Sequence, residues 1–447
     1  MAVRVVAAIE SFVRAAFWPL SGAILVVALL LPVYYAALGS MDVIAPRAAI
    51  ERHVRQAFEQ GVLGVDGRPP SLIFRGGEQL TECIALGVGL DPSETSWQQA
   101  ITGANPVWDD AHACLALYRA TTGEPVNWNS YNRYWHGYRI FLAPLTAAFP
   151  YWLVKMVLAL GLVAACVLLW KALRDRSDTT VATVFILTLI CLSDLLYVWR
   201  TATHTLSLIF IFAGTWLWSR LLQRNWRLFP LVVVGAVFGS FFNYIDFLVN
   251  PPMMPMLLAF FVLLYAREDT RLLSLLVVLA WFVGYGETWV VKWIIAVAFS
   301  SHPAAVAASI FDAASFRVAG SLPGVVILPF FATAKAFLRL LRYPGVVVPA
   351  GFLVAIVHYG VTASRIDFRR AAWLSSPVLV SVVWFETLSS HTQWHITPSS
   401  RSAAVAVGLM LSALLLSTAE RPTMAQLRAH FKSAIRLRWS NSKLDAN

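Results

Sequence analysis

The chain has 447 residues, of which 58% are hydrophobic and only 13% charged. A soluble domain carries roughly 45–50% apolar and about 25% charged residues, so neither a single water-soluble core nor a disordered chain fits. The formal charge is +11, from 35 Lys and Arg against 24 Asp and Glu. Without an RNA-binding or helix-turn-helix signature, that excess reads as basic cytoplasmic loops, and no nucleic-acid partner is expected.

The first apolar run covers 17–38 and follows Arg4 and Arg14. It exceeds the roughly 7–15 apolar residues of a signal peptide and is long enough to span a bilayer. It reads as a retained anchor (1–38) with a cytoplasmic N-terminus. A polar stretch, 39–147, follows as a long outer loop. Its Arg47–Gln60 segment predicts a helix, 64–70 a Gly/Pro turn region, and Glu78–Gly87 a second short helix. Cys83 and Cys114 both fall in this loop, where an oxidising compartment permits a disulfide. Cys166 and Cys191 fall in apolar runs.

Further spans are predicted at 148–170, 181–199, 205–220, 228–249, 252–266 and 272–299, and then at 344–363, 371–387 and 402–418. That makes ten, with 148–299 holding spans two to seven and 344–418 spans eight to ten. Basic clusters then fall on alternate connections. They are Lys171, Arg174 and Arg176, then Arg220, Arg224 and Arg227, then Arg267 and Arg271, then Arg365, Arg369 and Arg370. The tail, 419–447, adds Arg421, Arg428, Lys432, Arg436 and Arg438. The positive-inside rule places all of these in the cytoplasm. In 324–343, Lys335, Arg339 and Arg342 recur at helical spacing, which predicts an interfacial helix within a second outer loop, 300–343.

Ionisable residues inside spans are costly and mark function by default. Lys155, Asp194, Asp246, Glu287, Lys292 and Glu386 all map toward the outer ends of their spans, and His358 to an inner half. Several charges at one depth predict a polar crevice open to the outer side. The Gly284–Glu287 stretch is expected to interrupt the seventh span.

The richest chemistry lies in 128–139. Arg133, Tyr134, Trp135, His136 and Arg139 combine phosphate-binding guanidinium groups with aromatic faces suited to sugars or a prenyl chain. Helical spacing would put Arg133, His136 and Arg139 together. Glu78 and Glu82, at i and i+4, would share a helix face and offer a general base, with Asp42 as a competitor. His391 and His395 form another i, i+4 pair with Arg401 following. No nearby third ligand makes them a zinc site, so contact with phosphate or sugar is the expectation. Nucleophile elbows, Walker loops, dinucleotide fingerprints and paired Cys-x-x-Cys motifs are absent.

The Arg-Tyr-Trp-His-Gly-Tyr stretch at 133–138, with Thr81-Glu82 before it, resembles uncharacterised membrane proteins of bacterial envelope-polysaccharide gene clusters. The layout resembles the GT-C class of integral-membrane glycosyltransferases. One departure is that only Asp42 stands just after the first span, where many GT-C enzymes carry an adjacent acidic pair. The resemblance implies an all-α, GT-C-like fold of about ten transmembrane helices with amphipathic helices in the first periplasmic loop. It implies an inner-membrane protein with both termini cytoplasmic and an active site facing the periplasm. The donor would be a polyprenyl-phosphate-linked sugar. The acceptor would be a glycan, glycolipid or protein, and membrane lipids the surroundings.

On this expectation Glu82 or Glu78 takes the acceptor proton. Arg133, His136, Lys292 and Arg401 steady the leaving phosphate, and Asp246 binds sugar hydroxyls. No cofactor is required; a divalent cation is compatible but has no evident ligand set. The rival readings are a flippase or transporter for a lipid-linked sugar, an envelope-glycan polymerase, and an O-acyltransferase relying on His358.

Overall fold

The computed structural model describes residues 2–444 apart from 76–77, 110–111, 225–226, 248, 266–269 and 321–323, and side chains within 15–434 apart from these and 270–271. Arg267 lies outside the described residues, as do the side chains of Arg4, Arg14, Arg271, Arg436 and Arg438.

The described chain is almost entirely helical. α1 (Ala2–Gly39) runs into the outer loop through the short α2 (Met41–Ile44). The loop holds α3 (Arg47–Glu59), α4 (Gln79–Gly87), α5 (Ser96–Thr102), α6 (Ala113–Thr122) and α7 (Arg139–Ala148). It also holds two short strands, β1 (Asn105–Val107) and β2 (Asn127–Asn129), paired antiparallel with Pro106 opposite Trp128. The bundle then proceeds through α8 (Tyr151–Arg176), α9 (Thr179–Leu192), α10 (Ala202–Gln223), α11 (Leu228–Ile245), α12 (Met253–Leu264) and α13 (Thr270–Ala298). A second loop carries α14 (Pro303–Ala319) and α15 (Phe331–Arg339). α16 (Val347–Thr362), α17 (Phe368–Ser375), α18 (Leu379–Thr387), α19 (Ser389–Trp394), α20 (Ile396–Leu416) and α21 (Met424–Leu444) complete it.

Seven helical stretches are long and apolar enough to cross a membrane: Ala15–Gly39, Tyr151–Arg176, Ala202–Gln223, Leu228–Ile245, Leu272–Ala298, Pro344–Thr362 and Ile396–Leu416. They are consistent with a multi-pass membrane protein. Three predicted spans look different. The one at 181–199 stops at Leu192, because 193–201 leaves the helix and returns only as a 3-10 turn at Val198–Arg200. α12 has 12 residues and is buried along nearly its whole length, so its apolarity reflects protein neighbours on every side. The stretch at 371–387 is broken between α17 and α18 at a 3-10 turn containing Pro377.

The expected interruption at Gly284–Glu287 is absent, since α13 is continuous there. Those glycines serve packing instead. A Cβ on Gly284 would run into the backbone of Ala236, and one on Gly239 into the backbone of Trp281. Small residues on both partners thus let α11 and α13 approach backbone to backbone, as in membrane helix pairs.

The helices share two common ends. At one, Arg421 donates to the Ser177 carbonyl at 3.3 Å, Tyr265 donates to the Ser219 carbonyl at 2.7 Å, and Ala419 N–H to the Arg365 carbonyl at 2.9 Å. The C-terminal ends of α8, α10, α12, α16 and α20 meet there, together with Arg176, Arg220, Arg365 and Arg421. The long loop packs on the opposite end.

Cys83 and Cys114 are disulfide-bonded, joining α4 to α6 across a separation of 31 residues. Closing a loop of that length restricts the unfolded chain by about 3.7 kcal/mol. The Cys83→Ser, Cys114→Ser double variant is therefore expected to lower the thermal midpoint of the purified protein. Reducing agent should lower the wild-type midpoint by a similar amount and leave the variant's unchanged.

Candidate functional site

The outer loop is fixed to the bundle by one buried carboxylate. Glu82, in the first turn of α4, is 1% exposed. Its Oε1 lies 3.1 Å from the Lys155 ammonium of α8 and accepts from the Tyr151 hydroxyl. Its Oε2 accepts from the Ala202 N–H at 2.8 Å, at the positive N-terminal end of α10. Lys155 also donates to the Arg200 carbonyl at 2.5 Å. One residue before α4, the Glu78 N–H donates to Thr201 Oγ1 at 2.8 Å. Two bonds therefore hold the start of α4 against the start of α10.

The consequence is a division of labour between the two glutamates. Glu78 is the N-cap of α4, with a non-helical backbone (φ −78°, ψ 76°), so its side chain leaves in a different direction from that of Glu82. Its side chain lines a cavity of about 520 Å3 at the loop end of the bundle. Glu82 lies outside that lining, and both its oxygens are occupied. The expectation that Glu82 could be the base is corrected on this ground. Asp42 is also away from the cavity, accepting from the Ser96 N–H at 2.8 Å.

The cavity draws its walls from both outer loops and from the bundle. Loop one supplies Glu78, Tyr131, Arg133 and Tyr134, and α10 supplies His204. Ser309, Asp312 and Arg317 come from α14, and His391 and His395 from around α19. Arg317 is 6% exposed; its Nη2 donates to the Tyr134 hydroxyl at 2.7 Å and its Nη1 to the Ala313 carbonyl at 3.1 Å. Arg133 is held by its backbone: its carbonyl accepts from the indoles of Trp289 at 2.9 Å and Trp293 at 3.3 Å. Its guanidinium lies over the Tyr131 ring. The rings of His391 and His395 are 4.6 Å apart. His204 receives Arg401 Nη1 at Nδ1, 3.3 Å away. A guanidinium can only donate, so the proton of His204 sits on Nε2.

Other expected ligands turn out to be structural. Residues 130–138 form turns and irregular chain, so Arg133, His136 and Arg139 do not share a helix face. His136 is 2% exposed with φ +59°, and its Nε2 lies 2.8 Å from the Tyr131 carbonyl. Burial pushes its pKa down to about 3, against the opposing effect of that hydrogen bond, so it is neutral at pH 7. Trp135 donates to the Thr288 carbonyl at 2.8 Å and packs on Tyr34 and Tyr244. Arg139 is buried over Gly89, at φ +94°, where a Cβ would run into the guanidinium. Lys292 donates to the Ala100 and Ile101 carbonyls at 2.7 Å each, satisfying the C-terminal end of α5. Asp246 accepts from Ser207 at 2.7 Å and from the Val249 N–H at 2.8 Å, shaping the turn that puts Phe247 and Val249 into the cavity wall. Arg401 makes a two-pronged pair with Asp194, both bonds 2.6 Å. Glu386 accepts from the Phe330 and Thr333 N–H groups at the start of α15.

The charges predicted to line a crevice thus sit at one end, but most are staples between elements. Glu287 differs, leaving Oε2 buried without a partner among the described residues. Of the residues singled out from the sequence, the cavity brings together Glu78, Arg133, Tyr134, His391 and His395. His204, Asp312 and Arg317 escaped notice. A histidine directly before the predicted 205–220 span was a usable signal for His204. Arg317 is the one basic residue of α14, and only its reach to Tyr134 reveals it. No group of three His, Cys, Asp or Glu among the described residues is arranged to hold a metal.

The Glu82 network makes a direct prediction. Glu82→Gln leaves the Lys155 ammonium buried without its counter-charge, a change that costs about 3–5 kcal/mol. The variant should lose most folded protein in membranes, and Glu82→Leu combined with Lys155→Met should restore it. A wild-type yield and thermal midpoint for Glu82→Gln alone would show that the pair does not hold the loop. No family model, curated protein or solved structure matches the chain.

Proposed function

We propose that this chain is an inverting membrane glycosyltransferase that moves a sugar from a polyprenyl-phosphate donor to a glycan, glycolipid or protein acceptor on the periplasmic face of the bacterial inner membrane. The observation that carries the reading is the cavity. It sets the Glu78 carboxylate among Arg133, Arg317 and three histidines, at the end of the bundle away from the basic clusters. The positive-inside rule would put that end outside the cytoplasm, with both termini inside. The seven long helices, with α9, α12 and the α17–α18 pair as shorter crossings, would give the ten passes that this orientation needs.

The chemistry follows from the residues. An acceptor hydroxyl lies against Glu78, which takes its proton as the oxygen attacks the anomeric carbon. The new glycosidic bond forms as the bond to the phosphate oxygen breaks, and the electron pair leaves with the lipid phosphate. A phosphate is a good leaving anion, so its charge needs stabilising more than protonating. Arg133 and Arg317 are the cations placed for that, and the His204 Nε2–H adds a neutral donor. Tyr131, Tyr134 and Phe247 offer aromatic faces to the sugar. A single displacement inverts the anomeric centre. His358, the histidine on which the acyltransferase reading relied, sits against His430 of α21, Nδ1 to Nδ1 at 3.0 Å, away from the cavity.

In a deletion strain complemented with Glu78→Gln at wild-type protein level, polyprenyl-phosphate sugar should accumulate and the glycan should lack a residue. Transfer measured in membranes should fall about 100-fold or more, the scale of a lost general base. Wild-type turnover by Glu78→Gln would pass the role to Asp312. A deletion that alters neither pool would reject glycosyl transfer and bring lipid-linked sugar transport forward.

A further inference from the structure

A second cavity, of about 640 Å3, opens between α16 and α21. Its walls are apolar, formed by Val348, Gly351 and Phe352 on one side and Met424, Leu427 and Phe431 on the other. α16 belongs to a stretch long and apolar enough to cross a membrane. α21 lies across it. The Phe431 ring reaches Gly351 while its neighbour His430 reaches His358, two helical turns further along α16. The crossing leaves an apolar corner that the protein's own side chains do not fill.

Charge sits beside this corner. Arg428 is exposed and forms part of the cavity wall. Lys432, also exposed, is one turn on and shares its helix face. Between Arg421 and Leu444 the sequence contains no Asp or Glu, so no acidic neighbour on α21 neutralises this pair. An apolar cavity on a membrane-crossing helix, edged by cations that form no salt bridge among the described residues, has the chemistry of an anionic amphiphile's binding site. We propose that it seats the acyl chains of an anionic phospholipid, with the phosphate on Arg428 and Lys432. The site is independent of the transfer cavity, and its failure would leave the glycosyltransferase reading untouched.

The test is native mass spectrometry of the full-length protein purified in detergent, titrated separately with dioleoyl phosphatidylglycerol and dioleoyl phosphatidylcholine. Wild type should retain the anionic lipid about 30-fold better, the scale expected for two basic side chains at a membrane surface. Arg428→Glu should abolish the preference. Val348→Trp, which fills the cavity from a partly exposed wall, should lower retention of both lipids. Should either variant fail to purify as a single species, Lys432→Glu carries the same test. Equal retention of the two lipids by wild type, or an unchanged preference in Arg428→Glu, would overturn the proposal. So would a wild-type dimer that Val348→Trp dissociates, because a second copy would then be the occupant.

Discussion

A carboxylate buried where no water can reach it must find its partners in the protein, and Glu82 finds three. The ammonium of Lys155, the hydroxyl of Tyr151 and the N–H of Ala202 come from two different helices of the bundle. Taking charges out of water is expensive, so such a pair is tolerated only when its geometry is complete. That requirement fixes α4 on α8 and α10. With α4 fixed, Glu78 is carried to the cavity and the first turn of α10 brings His204 into the same wall. The disulfide then ties α6 to the same helix. The cavity is therefore a product of the anchor beneath it.

The same logic recurs wherever charge meets the apolar bundle. Lys292 holds the end of α5, Arg401 holds Asp194, Asp246 shapes its own turn, and Glu386 caps α15. Each settles a polar group that would otherwise be buried unpaired. Lys292 and Glu386 also pin outer helices to the bundle. What is left for a ligand is the smaller set that lines the cavity, with Arg133 and Arg317 as its cations. Arg317 has an additional role. By bonding Tyr134 it brings α14 against loop one, so the cavity forms only when both outer loops are in place.

The long apolar runs, the polar loop and the disulfide were legible because each has a local signature. The ends of α9 and the shortness of α12 were not. A helix surrounded by apolar protein reads in sequence like one surrounded by lipid, and hydropathy cannot separate the two. The site was half legible for a related reason. Sequence gives the depth of Lys155, Asp194 and Lys292 but not whether each is already paired. Glu78 and Glu82 looked equivalent at i and i+4, yet the helix starts between them and turns one outward and the other in. The 133–139 stretch lost its helical spacing because His136 adopts a positive φ, which ends any regular face. Arg317 could be recognised only through a partner 183 residues away in sequence.

In the proposed reaction the cavity binds a lipid phosphate through its two arginines, and Glu78 acts in the chemistry alone. Equilibrium binding of a polyprenyl-phosphate hexose to the purified protein tests this most directly, comparing wild type with Glu78→Gln and Arg317→Gln. Affinity should be unchanged in Glu78→Gln and fall about ten-fold or more in Arg317→Gln, as expected for a charge-assisted hydrogen bond. Wild-type affinity in Arg317→Gln, with the protein folded, would contradict that binding mode.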